Sequence, residues 1–358
     1  MDGISYAQMR IMGIIQCFKR LAGVYEDMGD GDSAAALEYK EMADILENVA
    51  QPPDREYDRE IIRTAAKLGV DIQGIDVQNL KDGRYVEIMA STKKRGAVKS
   101  TELARLLGDI LGAEFEPEYG GRSLITTNPA NFTFWPASRY ITSIGVSCIG
   151  KESDVISGDS YTYIPNSCGR MCAGIFDGMG TGLSAGQKSS RAIDVFERFF
   201  EAGFSAVAAL RLLNSNLVKA GGDETLAADC TVLDLRTGVG HCAKYGGVAT
   251  YIKRPGEIEI ISPSSMPAGV LEEAFMDMAD FTVGDEAYII MVSDGTMDAL
   301  PFYDKEHRMA NIIDGINARN PELFAKKLMD EVRFFVTDGQ KDDMTVLVTG
   351  IWKKNGLT

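Results

Sequence analysis

The sequence predicts an α+β protein: a β-sandwich covered by helices, preceded by a helical segment and a small α/β unit. Three observations predict it. From Asn131 onward, short apolar or alternating runs separated by turn signals outnumber the helical patterns. The helical patterns come in blocks rather than alternating with strands, which separates α+β from α/β. Before residue 56 the apolar spacing is helical throughout. The chain of 358 residues has room for two or three domains. The expected division is a helical regulatory segment at 1–55, a small α/β regulatory unit at 56–128 and the sandwich at 129–358.

The apolar residues Ile4, Ala7, Ile11, Ile14, Phe18, Leu21, Tyr25 and Met28 recur at alternating spacings of three and four, a narrow seam on one long helix. Gly29-Asp30-Gly31-Asp32-Ser33 breaks it. A second helix over about 34–49 buries Leu37, Met42, Ile45, Leu46 and Val49, and Pro52-Pro53 ends it. The seam either packs within the chain or serves as a dimer contact or lever. In the next unit, residues 60–68 read as a helix, and 70–77 and 85–90 as strands around an Asp82-Gly83 turn. Residues 101–111 read as a helix capped by Ser100 or Thr101 and closed by Gly112. Nothing in this unit has catalytic spacing.

In the sandwich, residues 140–149 alternate as a strand does. Thr237-Gly238 turns a hairpin between 231–235 and 241–245, and Pro255-Gly256 another between 249–253 and 258–261. Helices are expected over 184–201, 205–219 and 321–336. Four apolar strands begin or stop at an acid. Residues 171–176 run into Asp177-Gly178, then Met179-Gly180-Thr181-Gly182, before a long amphipathic pattern opens. Residues 287–292 run into Ser293-Asp294-Gly295, Asp342-Asp343 leads into 344–348, and Gly158-Asp159-Ser160 precedes 161–164.

Composition bounds the chemistry. A net charge of −15 argues against nucleic acid or an anionic membrane as partner, despite the local Lys93-Lys94-Arg95 run. No apolar stretch approaches the ~18–20 residues of a membrane span, and Arg10, Lys19 and Arg20 interrupt any signal-peptide pattern. The expectation is a cytoplasmic chain. Its six cysteines form no Cys-x-x-Cys pair, so reduced thiols are expected and a zinc site is not. His241 and His307 are the only histidines, and each is expected in a structural or surface role. A metal here must rest on oxygen ligands, which favours magnesium or manganese.

A single aspartate at a strand end is a turn or cap residue, as Asp298, Asp304 and Asp314 are expected to be. Four such sites, far apart in sequence, are expected to meet at one rim and hold divalent ions. A two-metal site needs one carboxylate to bridge ions about 3.5–4 Å apart and others to hold each ion. Gly178 leaves its backbone carbonyl open to close approach, because no side chain obstructs it.

As an ordered set, Gly158-Asp159-Ser160, Asp177-Gly178-Met179-Gly180, Ser293-Asp294-Gly295 and Asp342-Asp343-Met344-Thr345 resemble the motifs of the metal-dependent (type 2C-like) protein serine/threonine phosphatases. The likeness is to the bacterial branch that contains stage II sporulation protein E, and it covers residues 130–352. Leu106-Leu107-Gly108-Asp109-Ile110-Leu111-Gly112 resembles that branch's regulatory region. The resemblance implies a type 2C-like sandwich flanked by helices, holding two Mn2+ or Mg2+ ions. By it Asp177 bridges both ions beside the Gly178 carbonyl, Asp159 holds one ion, and Asp294 and Asp342 hold the other. Asp342 rather than Asp343 aligns with the family ligand. Asp177 and Asp159 are the implied catalytic pair, acting through a metal-activated water on a phosphoserine. Eukaryotic members often carry a histidine after the aspartate-glycine pair; here Met179 stands there.

The implied substrate is a phosphorylated anti-sigma-factor antagonist, whose dephosphorylation activates a sporulation sigma factor by partner switching. The implied partners are a second copy through the N-terminal helices and a cell-division protein. Full-length members begin with a membrane region, which places this region on the cytoplasmic side. A stress-response partner-switching phosphatase and a catalytically silent scaffold are the alternatives. Gly178, Gly180 and Gly182 join the bridging residue to the helix from Ser184, so a shift of that helix is expected to gate the metal site.

Overall fold

The computed structural model describes residues 6–28, 34–80, 83–93, 96–150, 159–178, 183–219, 225–271, 274–336 and 342–354. The expected breaks and turns at Gly29–Ser33, Asp82, Gly158 and Met179–Gly182, and the basic pair Lys94-Arg95, lie outside them. The chain forms two compact units, Met1–Ser138 with Asn166–Gly169, and Arg139–Pro165 with Arg170–Thr358.

The first unit opens with helices α1 (Tyr6–Met28) and α2 (Ala34–Ala50), which pack on each other. The face α1 uses differs from the expected seam. Ile15 and Ala22 are buried while Ile14 and Leu21 are 46% and 39% exposed. The reason lies in α2, whose buried residues Ala36 and Ala43 are small. Their lack of bulk suits a close helix–helix approach, and Phe18 stacks on Tyr39 with ring centroids 6.0 Å apart.

After α2 come α3 (Asp58–Lys67), β1 (Val70–Leu80), β2 (Gly83–Thr92), β3 (Val98–Lys99), α4 (Ser100–Leu111), β4 (Phe115–Pro117), β5 (Leu124–Ile125) and β6 (Ala130–Pro136). The main sheet runs β1-β2-β6-β4. Ile61 and Ala65 of α3 and Leu103 and Leu107 of α4 share one core with Val77, Val86, Ile88, Phe132 and Phe134. Neither Ser100 nor Thr101 caps α4: its cap position is Lys99, without a side-chain bond, and Ser100 is already helical and buried. Gly112 closes the helix in the left-handed region, with φ 72°. β6 pairs with β2, so the division between units falls after Ser138.

The second unit contains β7 (Tyr140–Ile149), β8 (Asp159–Ser167), β9 (Arg170–Gly178), α5 (Leu183–Glu201), α6 (Ala206–Lys219), β10 (Leu226–Asp234), β11 (Val239–Tyr245), β12 (Thr250–Arg254), β13 (Glu257–Ile261), β14 (Asp277–Thr282), β15 (Glu286–Val292), α7 (Asp294–Asp298), α8 (Lys305–Gly315), α9 (Pro321–Arg333) and β16 (Met344–Lys353). Two five-stranded sheets form, ordered β14-β11-β10-β9-β8 and β13-β12-β15-β16-β7. Both expected hairpins are present, β10–β11 and β12–β13.

Strand alternation sorts the side chains into three layers. Met171, Ala173 and Ile175 of β9 meet Ala287, Ile289 and Met291 of β15 and Leu347 and Ile351 of β16 between the sheets. Cys172 and Phe176 face outward onto Phe196 of α5 and Leu210 of α6. Ile290, Val292, Val346 and Val348 face outward onto Met309, Ile313, Phe324 and Leu328 of α8 and α9. Helix α8 was not expected from the sequence. Its N-cap is Asp304, whose carboxylate accepts the His307 N–H, in keeping with the cap role expected of that aspartate.

Candidate active site

The inner-facing residues of four strands lead to one rim of the sandwich. In β9 the odd-numbered residues point between the sheets, so Asp177 continues the inner row at the end of the strand. It pairs with Ala227 of β10, a small neighbour that leaves the carboxylate room. Asp159 begins β8, which adjoins β9 in the sheet. On the second sheet, β15 ends at Val292, and Ser293 and Asp294 turn into α7. Asp342 and Asp343 lead into the adjacent β16.

The turn at 293–295 and the start of β16 are locked together. Ser293 N–H donates to the Thr345 carbonyl at 3.0 Å, and Thr345 N–H donates to Ser293 Oγ at 2.9 Å. Thr296 Oγ1 also donates to the Thr345 carbonyl, at 3.0 Å. Gly295 permits the contact: a Cβ there would stand 2.1 Å from the Asp343 carbonyl oxygen and 3.0 Å from Asp342 Cβ. The Asp343 N–H donates to Asp342 Oδ1 at 2.9 Å.

The electrostatics link these acids through Asp177 and Asp159. Burial raises the Asp177 pKa to about 8, reinforced by the charges of Asp159 and Asp294, a hydrogen bond with Asp294 and the charge of Asp342. Burial likewise raises Asp159 to about 6, with the charges of Asp294 and Asp343 adding to it. Hydrogen bonds from Thr345 and Ser293 partly offset that rise. Asp177 thus lies within the fields of Asp159, Asp294 and Asp342, and Asp159 within those of Asp294 and Asp343. Among the described residues, no three His, Cys, Asp or Glu side chains are close enough to enclose a cation outright. The two observations differ because electrostatic coupling reaches farther than a metal–ligand bond.

The donor chemistry fits a hard divalent cation. It is all oxygen, acidic and partly buried, and its mutual repulsion is what a cation would relieve. Gly178 is buried at the end of β9, paired with Leu226. Met179, the position of the family histidine, lies outside the described residues. His241 is on the surface against Asp280 at 2.7 Å, and His307 is exposed beside Asp304. Asp298 pairs on the surface with Lys305.

Sequence reasoning did not assign roles to Ser293, Thr345 and Thr296, although the first two lie within the quoted motifs. It also passed over Lys244, a lone cation in an apolar hairpin strand. Among the described residues no helix is long and apolar enough to cross a membrane.

The stage II sporulation protein E (SpoIIE) family model matches residues 167–351. Stage II sporulation protein E of Bacillus subtilis (strain 168) is 26% identical over 316 residues, 87% of this chain and 38% of that protein. Its counterpart from Priestia megaterium is 26% identical over 317 residues, 86% of this chain and 54% of that one. The chain thus spans about two fifths to about half the length of these relatives. A solved structure of the PP2C phosphatase domain and a regulatory-domain fragment of SpoIIE from Bacillus subtilis superposes with a TM-score of 0.64. It covers 90% of this chain and 95% of that one at 24% identity, so the second unit has the type 2C-like phosphatase fold.

Proposed function

The chain belongs to the stage II sporulation protein E family, and we propose that it is a metal-dependent protein serine/threonine phosphatase acting on a phosphorylated anti-sigma-factor antagonist. One observation carries this reading: at the strand ends of the two sheets, the charges of Asp294, Asp342 and Asp343 reach the half-buried Asp159 and Asp177 and help to raise their pKa. Side chains that repel one another in this way suit a site that works with cations bound.

Asp177, at the centre of the set, would bridge two Mn2+ or Mg2+ ions, with the Gly178 carbonyl beside it. Asp159 would hold one ion, and Asp294 and Asp342 the other. Such ions neutralise charge on a phosphoryl group and activate water at neutral pH. The protein's own part is orientation. Hydrogen bonds from Ser293 and Thr345 fix Asp159, and the contact at Gly295 fixes Asp342 against Asp294.

Dephosphorylation of the antagonist would activate a sporulation sigma factor by partner switching. Residues 1–55 and 56–128 are assigned to regulation, with a homodimer contact through the N-terminal helices and a cell-division protein as a further partner. The exposed apolar side chains Ile14, Leu21 and Tyr25, which share one face of α1, support such a contact.

The test is phosphate release from a phosphoserine form of an anti-sigma-factor antagonist, with Mn2+ and with EDTA. Release that requires Mn2+ is expected. Metal-independent release, or none from either residues 1–358 or residues 129–358, contradicts the proposal.

A further inference from the structure

Beneath the carboxylate rim lies a charged cluster that the proposed chemistry does not use. Lys244 of β11 is fully buried. Its ammonium donates to Asp229 Oδ2, to the Val248 carbonyl at 2.9 Å and to Thr250 Oγ1 at 2.7 Å. That uses all three of its donors. Thr250 Oγ1 donates in turn to Asp229 Oδ2 at 2.5 Å. Asp229 Oδ1 is buried with no hydrogen-bond partner among the described residues.

Stability alone does not account for such a cluster. Burying an ion pair carries a desolvation penalty that often exceeds the attraction gained, and an apolar replacement of similar volume commonly folds as well or better. Its placement suggests another role. Ile175, Asp229 and Lys244 form one row across β9, β10 and β11. The next row toward the rim is Asp177 and Ala227. Thr250 belongs to the other sheet, where its neighbour Tyr251 pairs with Ile290 of β15, the strand that ends just before Ser293 and Asp294. The cluster therefore crosses the space between the sheets one row below the acids.

We propose that Lys244, Asp229 and Thr250 form a positioning tie that sets the separation of the two sheets where one carries Asp159 and Asp177 and the other Asp294 and Asp342. This inference rests on the metal-site reading above. Apolar contacts between sheets tolerate small slips because they have no direction. The tie does not, since each bond fixes a distance and an angle. Lys244 touches neither ion nor substrate; it acts through the strands that carry the ligands.

The test is Mn2+ affinity, measured by titration calorimetry on the full chain, with metal-free melting as the control for folding. The double variant Lys244→Met with Asp229→Leu removes both charges together. It is expected to melt close to the native chain yet bind Mn2+ about 10–100-fold more weakly, the usual loss when groups that orient ligands are removed. Thr250→Val, which leaves the ion pair in place, is expected to lose affinity, and Thr250→Ser to retain it. A folded double variant with native affinity overturns the tie and leaves a clasp for the β11–β12 crossover. If the double variant does not fold, equal affinity in the two Thr250 variants overturns it. If the native chain binds no Mn2+, the metal-site reading itself fails and the tie falls with it.

Discussion

Asp177→Asn is expected to abolish Mn2+-dependent phosphate release while making the metal-free chain more stable at pH 8. Substitution of groups that merely orient ligands costs about 10–100-fold, so loss of the proposed bridging ligand is expected to exceed ~100-fold. The stability effect follows from the raised pKa of this carboxyl, about 8 against an ordinary 3.8. Below pH 3.8 the group is protonated whether the chain is folded or not, and no stability is lost. As pH rises the unfolded chain ionises first, so stability falls until the folded group ionises near pH 8. Asparagine cannot ionise, so the variant escapes this loss. Melting in EDTA should therefore bring the two proteins together as pH falls below about 3 and show the variant ahead at pH 8. Asp159, raised to about 6, keeps a shorter slope of the same sign in both. Adding Mn2+ should reverse the order at pH 8, because only the native chain gains from binding. A variant that keeps its turnover, or melting curves that stay parallel across the pH range, would contradict the assignment.

Gly295→Ala should damage the site through backbone rather than charge. Its methyl would lie 2.1 Å from the Asp343 carbonyl oxygen, a main-chain atom held near the Ser293–Thr345 pairing. Neither side can yield by a rotamer change, so the start of β16 must move away from the turn bearing Asp294. Overpacking of this kind costs about 1–3 kcal/mol. The displacement separates Asp342 from Asp294, and Mn2+ affinity is expected to fall by at least ~10-fold. Gly315→Ala is the control: nothing lies within 4 Å of a Cβ there, so affinity should be unchanged. Native Mn2+ affinity in Gly295→Ala would show that this contact does not position the acids.

The fold class and the strand-end position of each aspartate were legible in the sequence, whereas several elements of the scaffold were not. Each aspartate stood at the edge of an apolar run, and strand ends in a sandwich collect at its rims. Convergence could therefore be expected without knowing the strand order. The choice between Asp342 and Asp343 is not decided by alternation. Counting inward from Leu347 and Thr345 places Asp343 on the inner face, and its charge acts on Asp159, while that of Asp342 acts on Asp177.

The elements missed were those with little apolar signal. Helix α8 buries only Met309 and Ile313 and carries Glu306-His307-Arg308 on its exposed side. Strand β14 is an edge strand of sequence Asp-Met-Ala-Asp-Phe-Thr in which Phe281 alone is buried. For α1 the spacing identified a helix but not the face its partner would cover, because the small residues that decide it belong to α2. Lys244 was passed over because a cation inside an apolar strand has no meaning without a partner, and its partner lies on a neighbouring strand. Only the register of β10 against β11 brings Asp229 to it.

The most direct measurement is the number of Mn2+ ions bound per chain, by equilibrium dialysis of the native protein and of Asp177→Asn. Two ions on the native chain and loss of binding in the variant are predicted; no binding by the native chain, or undiminished binding by the variant, would contradict a metal site built on the four strand-end aspartates.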